Sequence, residues 1–120
     1  MNDAGKEMML NAAVGIGKLY AFLAQALRMV LDPQVAAQLP EDLIDKQIDQ
    51  IRADLAPLLE KNHVVKENLE KVCREVMRIR QSAQNESTRR SAAREAESYL
   101  IMVAERARTV SDLVALFRRL

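Results

Sequence analysis

The sequence contains little of what a strand-rich, disulfide-stabilised or aromatic-lined protein requires. Its 120 residues include three glycines, three prolines, one cysteine, no tryptophan, two tyrosines and two phenylalanines. One cysteine cannot form a disulfide within the chain, and four aromatic residues are too few for an extended stacking platform. The remaining composition is rich in Ala, Leu, Glu, Gln, Arg and Met, which favour helices. We therefore expect an all-α fold with an aliphatic core.

The first apolar stretch, residues 8–22, has the length of a signal-peptide core, but its flanks are unsuitable. Asp3 and Glu7 precede it, whereas signal peptides begin with a basic segment. Lys18 and Arg28 would each cost roughly 3 kcal/mol at the centre of a bilayer. The sequence therefore predicts neither a signal peptide nor a membrane span. A single cysteine is typical of a reducing compartment, so we expect a cytoplasmic protein.

The first predicted helix, residues 6–31, is apolar around most of its circumference. A helix of this kind is normally buried on several sides, so it is either the central helix of a bundle or the helix that meets a partner, and its two packing faces exceed what one small bundle needs. We therefore predict that it also contacts a partner, together with a later helix. The predicted interface residues are Ile16, Tyr20, Leu23 and Leu27 on the first helix and Leu100 and Val103 on the later one.

Breaks in the apolar pattern predict a single domain, residues 1–120, built as an antiparallel up-down four-helix bundle. The chain should leave the first helix at Asp32 and Pro33, pass through a short helical turn at 34–39, and start a new helix at Ser111. The predicted helices cover residues 6–31, 41–61, 64–84 and 88–108, and a short C-terminal helix covers residues 111–119.

A seam of apolar residues at steps of four and three runs from Ile44 to Ile79. It is compatible with a helical hairpin that turns near residues 61–64. It is also compatible with one long kinked helix, residues 41–84, that pairs with a second copy as a dimeric coiled coil. Pro57 favours the hairpin, because a proline inside a helix costs roughly 3 kcal/mol.

The only histidine lies in two short patterns that carry chemistry in other proteins. Residues 63–66, His-Val-Val-Lys, are similar to the His-x-x-Lys motif of histidine phosphotransfer domains, which are four-helix bundles; Glu67 and Asn68 follow where that family has a glycine and small residues. Glu60 and His63 match half of the Glu-x-x-His pattern of metal-carboxylate bundles. Because the sequence offers no catalytic constellation and no second Glu-x-x-His motif, we expect a non-enzyme without cofactor or metal.

Arginines are concentrated between residues 74 and 94, which raises nucleic-acid binding as an alternative function. Glu75 and Glu86 interrupt this basic segment, and the net charge of the whole chain is only +1. The arginines that would contact phosphates are Arg74, Arg78, Arg89, Arg90 and Arg94. The sequence favours a helical protein–protein interaction module, whose partner is a second copy in a homodimer or an amphipathic helix of another protein.

Overall fold

The computed structural model describes residues 3–120, apart from the side chain of Glu41, and every regular element in that range is an α-helix. The prediction of an all-α bundle is therefore confirmed. The five helices are α1 (Asp3–Leu31), α2 (Pro33–Gln38), α3 (Glu41–Leu59), α4 (His63–Gln84) and α5 (Arg89–Arg119).

Helix α1 lies at the centre of the packing, as its apolar circumference predicts. It packs most extensively against α5 and also contacts α2, α3 and α4. Leu19, Leu23 and Leu27 of α1 are fully buried, and Ile48, Ile79 and Val103 from the surrounding helices complete the core. The aliphatic core expected from the composition is therefore built around one helix.

Neighbouring long helices run antiparallel. Between α3 and α4, Asp45 pairs with Arg80 and Arg52 pairs with Glu70, so the earlier residue of one helix meets the later residue of the other. Between α1 and α5, residues 21–28 of α1 line a cavity with Ala104 and Ala107, and residues 13–21 line the next one with residues 107–118, so these helices also run in opposite directions. Short connections between consecutive helices produce this arrangement.

The chain turns between α3 and α4, so the alternative of one long helix over residues 41–84 is wrong. Helix α3 ends at Leu59 and α4 begins at His63. Pro57 occupies the last turn of α3, and the side chain of Asn62 accepts a hydrogen bond from the Val65 amide at 3.3 Å. A proline near the end of one helix and an asparagine cap on the next favour this turn.

The prediction of a short C-terminal helix over residues 111–119 is also wrong, because α5 is continuous from Arg89 to Arg119. Ser111 and Asp112, interpreted as a new helix start, are exposed residues inside the helix. Thr109 donates its hydroxyl hydrogen to the carbonyl oxygen of Glu105 at 3.1 Å, so it too is accommodated within the helix.

Unequal helix lengths leave part of α1 and α5 without α3 and α4 beside them. At one end, Val30 of α1, Ala83 of α4 and Arg89 of α5 line the same cavity, so these three helices are level there. Helices α1 and α5 have 29 and 31 residues, against 19 in α3 and 22 in α4. At the other end α1 and α5 are seven and nine residues longer than α4, so they project past its first turn by about 10–14 Å. We call this projection, residues 3–10 and 111–120, the arm.

Helix α1 is the one described helix that is long and apolar enough, by length and composition, to cross a membrane. Its most apolar window has a mean hydropathy of 1.3, and 39% of that window is buried inside the bundle. Core helices meet the same criterion. Helix α1 contacts the four other helices, so part of its apolar surface is covered within the bundle.

Candidate interaction surfaces

The predicted interface residues belong to the core of the single chain. Tyr20, Leu23, Leu27 and Val103 are buried, and Ile16 and Leu100 are half-buried against the same core. A partner could reach the buried side chains only if the helices separated. The surfaces available to a partner therefore lie elsewhere.

Large apolar side chains are exposed together on the arm. Between 45% and 76% of each side chain is exposed. They are Met8, Met9, Leu113, Leu116 and Leu120, which we call the arm face. Met9 precedes Ile16 by two helical turns, so it continues a stripe that packs against the core further along α1. The arm face is exposed because α3 and α4 do not extend that far.

The charges of the arm balance. Its two segments contain three acidic and three basic side chains. The acidic residues are Asp3, Glu7 and Asp112, and the basic residues are Lys6, Arg118 and Arg119. A surface with no net charge offers little attraction to a nucleic acid or an anionic membrane, and it does not strongly repel a second copy of itself.

A shallow groove runs along the opposite side of the α1–α5 pair. It consists of two adjacent cavities of about 420 and 390 Å³ that share Ala21 and Ala107 in their walls. Gly17 and Val110 line its middle, where the two helices approach closely. We call this feature the outer groove.

Two of the five arginines predicted to contact phosphates form hydrogen bonds within the chain. Arg78 donates hydrogen bonds to Glu75 at 2.9 Å and to Glu95 at 2.7 Å, and these carboxylates raise the pKa of the Arg78 guanidinium. Arg89 donates to the carbonyl oxygen of Ala83 at 3.2 Å. The other three predicted contacts are exposed: Arg74, Arg90 and Arg94. The basic surface is therefore smaller than the sequence indicated.

Arg80, in the same segment, is one of the buried residues. Only 6% of it is exposed, and its guanidinium donates to the carboxylate of Asp45 on α3. The pair joins α4 to α3 near the end of the bundle that lies away from the arm. Its role is to hold those two helices together.

His63 is exposed at the first position of α4, and Glu60 caps the end of α3. Within the described part of the chain, no three His, Cys, Asp or Glu side chains are grouped closely enough to hold a metal ion. Cys73 is buried, and desolvation raises the pKa of its thiol to about 11. A thiol in this state is a poor nucleophile at neutral pH.

Comparisons with protein-family models, with curated proteins and with solved structures give no match to this chain. The functional argument therefore depends on its surfaces. Sequence reasoning missed the arm face, although it predicted a helix over residues 111–119. The missing signal was the difference in length between α5 and its neighbours, which the predicted break at Ser111 concealed.

Proposed function

We propose that this protein is a non-catalytic helical interaction module that self-associates through the arm face. The observation that supports the proposal is that five large apolar side chains are exposed within the arm. Single exposed apolar residues are normal, whereas several in one small part of a protein favour an interaction site. Covering it with protein removes that apolar surface from water, which is the main driving force of association.

The geometry of the bundle indicates a second copy as the occupant. Where α3 and α4 reach the α1–α5 pair, an antiparallel pair of helices covers its inner side. The arm lacks such a cover, and it is itself an antiparallel pair of helices with an apolar face. Two arms related by a two-fold axis supply each other with the missing pair and close a four-helix unit. The balanced charge of the arm is compatible with this arrangement.

Charge introduced into the arm face tests the proposal. Leu116→Glu places a carboxylate on the surface that would be buried, and we expect it to convert a dimer into a monomer, measured by sedimentation velocity. Leu43→Glu is the control, because Leu43 has 47% exposure and lies at the start of α3, away from the arm. It should leave the dimer intact. Circular dichroism should show the same helix content for both variants.

The proposal is contradicted if Leu116→Glu sediments as the same dimer as the unsubstituted protein. It is equally contradicted if Leu43→Glu and Leu116→Glu dissociate the dimer to the same extent, because the arm would then have no special role. Leu116 is 54% exposed, so its replacement does not disturb the core of the single chain.

A further inference from the structure

The outer groove faces away from the arm face, so it stays open when two arms associate. Its two cavities extend from Ala13 to Arg28 along α1, which is about 22 Å, or four turns of a helix. Small residues from both helices, including Ala21 and Ala107, form the floor, while Phe22 and Val14 add larger apolar walls. The length fits one helix lying along the groove.

The rim of the outer groove has charge of one sign. Lys18, Arg28 and Arg118 line it, and no acidic residue does. All three basic side chains belong to exposed residues, and none of them forms an ion pair within residues 3–120. Lys18 shares a neighbouring cavity with Asp54 but forms no ion pair with it, so all three charges are available to carboxylates on a partner.

An exposed apolar residue continues the groove beyond its cavities. Ile101 is 68% exposed and lies one helical turn before Ala104, which lines the groove. A large aliphatic side chain beside a groove with an apolar floor is a typical anchor for an amphipathic helix. Ile101 is separate from the arm face, so it is evidence independent of self-association.

We propose that the outer groove binds an amphipathic helix of another protein whose apolar stripe is flanked by acidic side chains. The apolar stripe of the partner helix would lie on the floor between α1 and α5. The partner would have small side chains where it passes over Ala21 and Ala107. Its carboxylates would meet Lys18 and Arg118 at one end of the groove and Arg28 at the other. The apolar floor supplies affinity, and the basic rim selects acidic partners.

A fluorophore in the groove of the full chain reports binding directly. Gln25 lines the groove, so Gln25→Cys carries an environment-sensitive dye there. Cys73 is buried and its thiol pKa is about 11, so it stays unlabelled. The probe is a designed helical peptide of about 18 residues with an Ala/Leu stripe flanked by Glu, and its matched control has Lys in place of every Glu.

We expect the Glu peptide to shift the emission and to bind at least about tenfold more tightly than the Lys peptide. Arg28→Glu should weaken binding of the Glu peptide by a similar factor. The matched control is Lys46→Glu, an exposed charge reversal on α3, which should have no effect. The same measurements in the Leu116→Glu background should give the same affinities, which separates this proposal from self-association.

A second variant tests the groove by shape. Ala21→Phe should fill the floor and abolish binding, whereas Ala53→Phe, at an exposed position of α3, should not. The proposal is overturned if the two peptides bind equally or not at all, or if Ala21→Phe leaves the affinity unchanged. Duplex DNA or anionic lipid vesicles that bind more tightly than the Glu peptide, and lose affinity in Arg28→Glu, would also overturn it in favour of that ligand.

Discussion

Two glycines in α1, only two positions apart, have different surroundings. A Cβ atom at Gly15 would lie 2.5 Å from Cδ2 of Leu55 and 3.2 Å from its Cγ, and Leu55 is buried. At Gly17 the nearest atom is Cγ1 of Val110 at 3.3 Å, and Val110 is half-buried beside the outer groove. The side chain of Val110 has room to move, and that of Leu55 has little.

Alanine at these two positions should change stability in opposite directions. Gly17→Ala gains helix propensity, up to about 1 kcal/mol, and should raise the free energy of unfolding. Gly15→Ala gains the same propensity but overpacks the contact with Leu55, which costs roughly 1–3 kcal/mol, so it should lower that free energy. Urea denaturation measures both. Equal effects of the two substitutions would contradict the close contact between Gly15 of α1 and Leu55 of α3.

Ionisation of the Cys73 thiol should lower the free energy of unfolding at alkaline pH. Burial raises the pKa of its thiol from 9.0 to about 11, so the folded state favours the protonated form more than the unfolded state does. The stabilisation from this difference is complete below pH 9 and is lost as pH rises through 11, in total on the order of 2 kcal/mol.

The expected result is a fall in the free energy of unfolding between pH 9 and pH 11 that is steeper in the unsubstituted protein than in Cys73→Ala. Other groups that titrate in this range contribute to both proteins, so the difference between their slopes isolates the thiol. Urea denaturation at a series of pH values measures it. Parallel slopes for the two proteins would mean that the Cys73 thiol titrates alike in the folded and unfolded chains.

Arg80 shows where sequence reasoning reaches its limit at the scale of one residue. Arg78 and Arg80 lie in the same basic segment, yet Arg78 is exposed and Arg80 is buried against Asp45. The long aliphatic part of an arginine allows either position at the edge of a core. The choice depends on where α3 places its carboxylate, and one sequence does not contain that information.

Among the elements, α5 differs most from its prediction, because a serine and an aspartate can start a helix or lie within one. Asp112 distinguishes the two cases. If Ser111 capped a new helix, residue 112 would be the first helical residue, a position where proline is well tolerated. In the continuous α5, Asp112 lies seven residues before the last helical residue, Arg119, and proline there should disrupt the helix.

Asp112→Pro should therefore lower the free energy of unfolding by about 3 kcal/mol or more, while Asp112→Ala has little effect. It should also dissociate the dimer, because α5 carries Leu113 and Leu116 beyond that point. Urea denaturation and sedimentation velocity measure the two effects. A folded, dimeric Asp112→Pro variant would mean that the chain does break at Ser111.

The turn between α3 and α4 was predictable, since Pro57 and Asn62 act locally. Each residue disfavours or caps a helix through its own backbone or side chain, so a single sequence contains the signal. The interface residues were not predictable in this way. Leu23 and Val103 are apolar whether they face the core or a partner, and only the packing of α1 against α5 shows that they are buried.

At the scale of the whole molecule, the proposed function depends on helices of unequal length. The composition predicted the all-α bundle, and the apolar circumference of α1 predicted its central position. The arm was not predicted, because it depends on how the ends of four helices align in space. The arm face and the outer groove lie on opposite sides of the same helix pair, so one protein would offer a surface for its own copy and another for an acidic helix.

The central claim is that this protein associates with itself, and the mass of the unsubstituted protein in solution tests it most directly. Light scattering on a sizing column, over a range of loading concentrations, should show a particle that approaches twice the 13.5 kDa of one chain as concentration rises. A constant mass of 13.5 kDa at every concentration would contradict the account, because the arm face would then remain exposed in the isolated protein.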